Sequence, residues 1–135
     1  VVITILGILA AIALPRFAAL QADARIAKMN GALASIKAGA VLAHSLQLTQ
    51  GVADNGTVTM EGVAIQLYNG YPDASSIALA AGLAQPDYYF TNTATTLTVR
   101  PNSTANNPCF VTYQRAAPGL SPTYSNANLD TTNCK

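Results

Sequence analysis

The chain has 135 residues, half of them hydrophobic, and seven Lys and Arg against six Asp and Glu give a formal net charge of +1. That balance provides no broad basic surface for nucleic acid. A single histidine excludes a multi-histidine metal site and leaves no alternative base for a Ser/His/Asp triad.

From Val1 to Pro15 (VVITILGILAAIALP) there is no charge, and an apolar helical pattern continues to about Gln50. The fourteen residues before Pro15 span only ~21 Å as a helix, short of the roughly 30 Å core of a bilayer. The segment also begins without Met and without a basic flank. We therefore expect the native segment to be longer and Val1 to be a truncated start. The alternative is the apolar region of a secretory signal cleaved after the small residues Ala11 and Ala13. No polar region separates the apolar run from that point, which argues against it.

Further along, Ala19, Ala22, Ile26, Met29, Leu33, Ile36, Ala40 and Ala43 recur at spacings of three and four, one stripe of a helix. Arg16, Asp23, Arg25, Lys28 and Lys37 fall between these positions, and Ala and Gly fill much of the remainder, allowing close backbone approach. After about Met29 the stripe reads as a helix covering the core of its own domain. Up to about Leu20 the pattern is apolar all round, and such a helix belongs in a membrane or inside an assembly. The expected organisation is a protruding hydrophobic helix over 1–28 and a globular head over 29–135. Gly7 and Pro15 interrupt the oiliest stretch: proline removes a backbone donor, and glycine costs about 1 kcal/mol relative to Ala. A hinge and a kinked membrane helix are equally compatible with that pair. Gly51 after Gln50 is a C-terminal cap.

The run ITILGILAAIALP, followed by Arg16 and Phe17, resembles the N-terminal segment of type IV pilins. In that family an aromatic residue and a glutamate precede this run, so roughly seven residues, ~10 Å of helix, are expected upstream. The resemblance implies an inner-membrane precursor, cut by a prepilin peptidase and methylated. Pilus assembly machinery then polymerises it with identical subunits into an extracellular filament. It further implies that Ile3, Ile5, Leu6, Ile8, Leu9, Ile12, Leu14 and Phe17 pack in the filament core, and that the helix melts locally between Gly7 and Pro15.

After Gln50 the composition turns to Thr, Asn, Gly, Ser and Pro with short apolar runs, a compact β-rich head. A loop from Gly51 to about Ser75 holds extended pieces at Thr57 to Met60 and Val63 to Leu67. A brief helix follows over Ser76 to Ala81, capped by Asp73 or Ser75 and stopped by Gly82. Strands are expected at Tyr88 to Asn92, Thr96 to Arg100 and Cys109 to Gln114, an antiparallel meander against the rod. The fold class is thus α+β: a long N-terminal helix packed on a C-terminal antiparallel sheet, the ladle of a pilin. Asn69-Gly70-Tyr71-Pro72-Asp73-Ala74 and Cys109-Phe110-Val111-Thr112-Tyr113 are similar to stretches of the mannose-sensitive haemagglutinin subgroup.

In an exported chain, Cys109 and Cys134 most simply form one disulfide. Closing this loop contributes roughly 3 to 4 kcal/mol in the chain-entropy model. The enclosed segment, with Pro118 and Pro122, has little core of its own, so the bridge reads as a staple for a surface loop and the C-terminus. No catalytic residue, cofactor or metal ligand set is expected. His44 reads as a solvated or packed residue, and the acids Asp23, Asp54, Glu61, Asp73, Asp87 and Asp130 are scattered without a calcium-loop spacing. Arg100, Arg115 and Lys135 are the candidates for a small repeated basic patch, although the overall charge does not support DNA binding. Asn55-Gly56-Thr57 and Asn102-Ser103-Thr104 match the N-glycosylation pattern, to which no glycan is assigned.

These features point to a non-enzymatic filament subunit supporting adhesion, surface motility or DNA uptake. The nearest rival is a type II secretion pseudopilin, which by the same resemblance would carry an acidic calcium-binding loop in place of the disulfide. A tethered, monomeric periplasmic binding module is the rival from another class.

Overall fold

A computed structural model describes the backbone of residues 1–135 and the side chains of all but 13–16 and 18. One helix, α1 (Val2–Gln50), supplies the axis of the molecule. At 49 residues it is about 74 Å long. It ends where expected: Gly51 adopts the left-handed conformation, with φ 64°, and its N–H bonds the Gln47 carbonyl, satisfying an orphan acceptor of the last turn.

The helix buries one stripe. Ala22, Met29, Leu33, Ile36, Ala40 and Ala43 are buried, and Ile26 is partly covered. Ala19, a turn before the first buried position, is exposed, so the stripe is one residue shorter at its start than its spacing suggests. At the other end it extends to Gln47, which is buried.

Two antiparallel sheets cover that stripe. Strands β1 (Thr57–Met60), β2 (Val63–Tyr68) and β3 (Tyr71–Pro72) form the smaller, in the order β1-β2-β3. Two-residue turns join them at Glu61-Gly62 and Asn69-Gly70, with positive φ at all four residues. That pattern matches the right-handed twist of the strands and favours Gly at the second position. The segment expected to be a loop with extended pieces is therefore a sheet, and its third strand, β3, lies beyond the expected pieces, after the Asn-Gly pair that is the strongest short hairpin signal.

Helix α2 (Ile77–Ala80) follows, and Gly82, with φ 69°, stops it. The expected side-chain cap is absent: Asp73 bonds Arg115 and Ser75, while the Ser76 hydroxyl accepts from the Gln66 N–H. Of the two expected caps, Asp73 is engaged by the distant Arg115 and Ser75 by Asp73 itself. Where α1 passes α2, a Cβ on Gly39 would lie 2.7 Å from the Ala80 carbonyl oxygen. Only glycine fits that crossing.

The larger sheet is a meander, β4 (Tyr89–Asn92), β5 (Thr96–Arg100), β6 (Val111–Gln114) and β7 (Thr123–Ser125). Val99 pairs with Phe90 on one side and Val111 on the other, and Tyr113 pairs with Leu97 and Tyr124. Strand β7 was not expected from sequence; three residues after Pro122 carry too little apolar signal. Cys109 and Phe110, expected to begin a strand, precede β6.

The core has two parts. Met29, Leu33, Ile36 and Ala40 meet Ile77, Leu97, Val99, Val111, Tyr113 and both cysteines. Ala43 meets Val58, Ile65 and Leu67 under the small sheet. The architecture is α+β, a long helix packed against antiparallel sheets.

Candidate functional site

The N-terminal part of α1 lies outside this core. Ile3, Ile5, Leu6, Ile8, Leu9, Ile12 and Phe17 are each at least 53% exposed, on every side of the helix. Of the other three singled-out positions, Leu14 and Pro15 fall among the residues whose side chains lie outside the description. Gly7 is within α1, with open space where a Cβ would stand. An apolar surface of this extent on a folded chain marks an interaction site. Among the described residues, no helix is long and apolar enough to cross a membrane.

At the transition to the head, Lys28 is held by the surrounding chain. Its ammonium donates to the carbonyls of Asp87 and Pro101 at 2.6 and 2.8 Å and sits 4.6 Å from the Tyr88 ring centroid. Those contacts tie the helix to the ends of the larger sheet.

In the core between the helix and that sheet, Cys109 and Cys134 form a disulfide with 4.7 Å between their Cα atoms, and both residues are fully buried. Asp130 shapes the approach to it. Its carboxylate accepts from the N–H groups of Thr132 and Asn133 and from the Asn133 amide, and the Cys134 N–H bonds its carbonyl. The Asn133 N–H first, then the Thr132 N–H and the Asn133 amide, hold the Asp130 carboxyl below its ordinary value. The enclosed segment contributes β7 and rests Tyr124 on Tyr113, with centroids 5.7 Å apart.

Two of the three candidate basic residues are engaged by the head itself. Arg115 bonds Asp73 at 2.9 Å and stacks 3.6 Å from the Tyr68 centroid. Arg100 donates to the Asn107 carbonyl and the Thr91 hydroxyl. Lys135 is exposed. Burial pushes the Asp73 carboxyl up, but the Arg115 guanidinium, the Ser75 hydroxyl and the Ala74 N–H outweigh it and leave the group below its ordinary value. Burial also raises Tyr113 strongly, with its hydroxyl donating to the Pro72 carbonyl at 2.6 Å. His44 is packed rather than solvated: it stacks on Tyr71 with centroids 4.1 Å apart. Among the described residues, no three His, Cys, Asp or Glu side chains converge on a metal position.

No family model, curated protein or solved structure matches the chain.

Proposed function

We propose that the protein is the structural subunit of an extracellular type IV pilus. Identical copies polymerise through the N-terminal part of α1. The observation that carries this reading is the all-round exposure of Ile3, Ile5, Leu6, Ile8, Leu9 and Ile12 on the same helix that forms the spine of the head. Each large side chain that becomes covered gains roughly 1.5 to 3 kcal/mol relative to water. A one-sided head cannot cover a helix on all sides, whereas a bundle of like helices can.

The ITILGILAAIALP resemblance supports the same reading, as does the disulfide closing the C-terminal region. Residence of the precursor in the inner membrane, removal of a leader by a prepilin peptidase, and hand-over to a pilus assembly machinery belong to this proposal. Lipid offsets much of the burial gain, so extraction requires an external motor. Adhesion, surface motility or DNA uptake would be properties of the fibre.

Shearing intact cells and imaging the released fraction by cryo-electron microscopy, with mass spectrometry to identify the chain, tests the proposal. Long thin filaments built of this subunit are the expected result. Recovery only in the membrane and periplasmic fraction, with no fibre, would overturn it in favour of a secretion pseudopilin.

A further inference from the structure

The head leaves a second set of large apolar side chains in solvent, well away from residues 1–12. Leu42, Val63 and Leu79 are each about half exposed. With Leu46 and Met60 they line a groove of about 630 Å³ between α1, the β1–β2 turn and α2. Leu48 and Leu120 are each 65% exposed and stand together beside the turn at residues 117–120.

The two sets sit on opposite flanks of the head. At about 100° per residue, Leu42 and Leu46 fall on one side of the buried positions Ala43 and Gln47, and Leu48 falls on the other, roughly 200° round from Leu46. They are also nearly level, because Leu42 and Leu48 differ by only ~9 Å along the axis. Between the flanks, on the face of α1 turned away from the sheets, Ala27, Ala34, Ala38, Val41 and Ser45 are exposed and uncharged. That face carries the uncharged surface of the N-terminal part up into the head.

Area decides what kind of partner fits. Five side chains that expose about half of their surface bury on the order of a few hundred Å², far below the roughly 1,200 Å² of a stable free-standing complex. A contact built here therefore holds only within an assembly joined by another surface, and this chain carries such a surface at 1–12. A groove on one flank and exposed leucines on the other do not satisfy each other within one chain. Between copies the contact is heterologous and is handed on from each copy to the next. Each surface is lined by one acid, Glu61 or Asp54, and by no lysine or arginine, so the attraction is apolar burial and not ion pairing.

We propose that the heads of neighbouring copies dock flank to flank, with Leu48 and Leu120 of one copy seated in the groove formed by Leu42, Leu46 and Leu79 of the next. The contact rests on the polymer reading for its neighbours, but the head alone makes it, separately from the helix contact. It also sets a direction, since groove and leucines are not interchangeable and all heads must face the same way round the fibre.

The test is residue-specific crosslinking in sheared filaments of the full chain. Leu79→Cys and Leu120→Cys lie at exposed positions, and the native cysteines are held in their disulfide. Treated with a short bismaleimide, the L79C/L120C double variant should give a ladder of dimers, trimers and higher multimers on a denaturing gel. Each single variant should stay monomeric, because groove does not face groove. Pairing Leu79→Cys with Ser103→Cys should give no ladder either: Ser103 follows Pro101, whose carbonyl binds Lys28, ~30 Å along the helix from Leu48. High salt screens Glu61 from Asp54 and should strengthen the ladder. An equal ladder from the S103C pair, dimers from a single variant, a ladder that salt weakens, or monomer alone in the double variant would overturn the proposal. Filaments without the ladder would leave polymerisation through α1 standing. If the cells yield no filament, the same reaction on the full chain in zwitterionic detergent decides: multimers there keep the head contact while the polymer reading falls, and monomer alone removes both.

Discussion

Residues 1–12 and residues 29–47 belong to one continuous helix, yet the first set is exposed throughout and the second buries Met29, Leu33, Ile36, Ala40, Ala43 and Gln47. The more apolar half is the one left in solvent. Hydrophobic content therefore does not decide burial within a chain; the arrangement around the helix does. A stripe facing one direction can be covered by sheets that approach from that direction. A surface apolar on all sides needs neighbours on all sides, and one head of this size has only one side to give.

The sharpest way to break the comparison is to place the same kind of damage in each half. Ile8→Lys should abolish filaments, because a charge buried without a partner costs several kcal/mol in every subunit. Thermal unfolding of the detergent-solubilised head should stay within ~0.5 kcal/mol of the parent. A head that loses stability in that variant would mean the two halves are not independent. Ile36→Ala should do the reverse. It removes a fully buried side chain, and a loss of about 2 to 5 kcal/mol is expected in denaturant unfolding.

Removing the disulfide with Cys109→Ser and Cys134→Ser should cost roughly 3 to 4 kcal/mol and expose the 109–134 segment to proteolysis first. The smallest effect concerns the Asp73–Arg115 pair, both partners of which are about four-fifths buried. A charged hydrogen bond of this kind is worth about 1.5 to 3 kcal/mol. Because the folded-state pKa of Asp73 is lowered, its stabilisation is present above the unfolded value of about 3.9 and is lost as pH falls through the folded value. Arg115→Met should flatten that acid limb of the stability curve. An identical acid limb in R115M would show that the pair does not carry it.

The helix was legible because three signals agreed: a 3.6-residue stripe, few breakers after Pro15, and a capping glycine at Gly51. Strand β5 was read at its observed boundaries, since TLTVR alternates and lies between turn residues. The start of α2 lacks the expected side-chain cap for a physical reason. Asp73 and Ser75 are the expected caps, but Asp73 is held by the long-range Arg115, and the Ser75 hydroxyl donates to Asp73 instead of accepting from the helix. His44 gave no signal at all as a lone histidine. Its place beside Gln47, Asp54 and Tyr71 depends on a turn and a loop more than twenty residues away.

The sequence by itself determined the helix, its two-part character, five of the seven strands and the pair of cysteines available for bonding, because these follow from local periodicity, turn chemistry and composition. Only the tertiary structure decided that the 57–72 segment makes its own sheet, that Arg115 and Arg100 are used inside the head, and that His44 stacks on Tyr71 beside the Asn69-Gly70 turn. Those outcomes depend on which polar groups meet across long stretches of chain, and no nearest-neighbour pattern encodes that meeting.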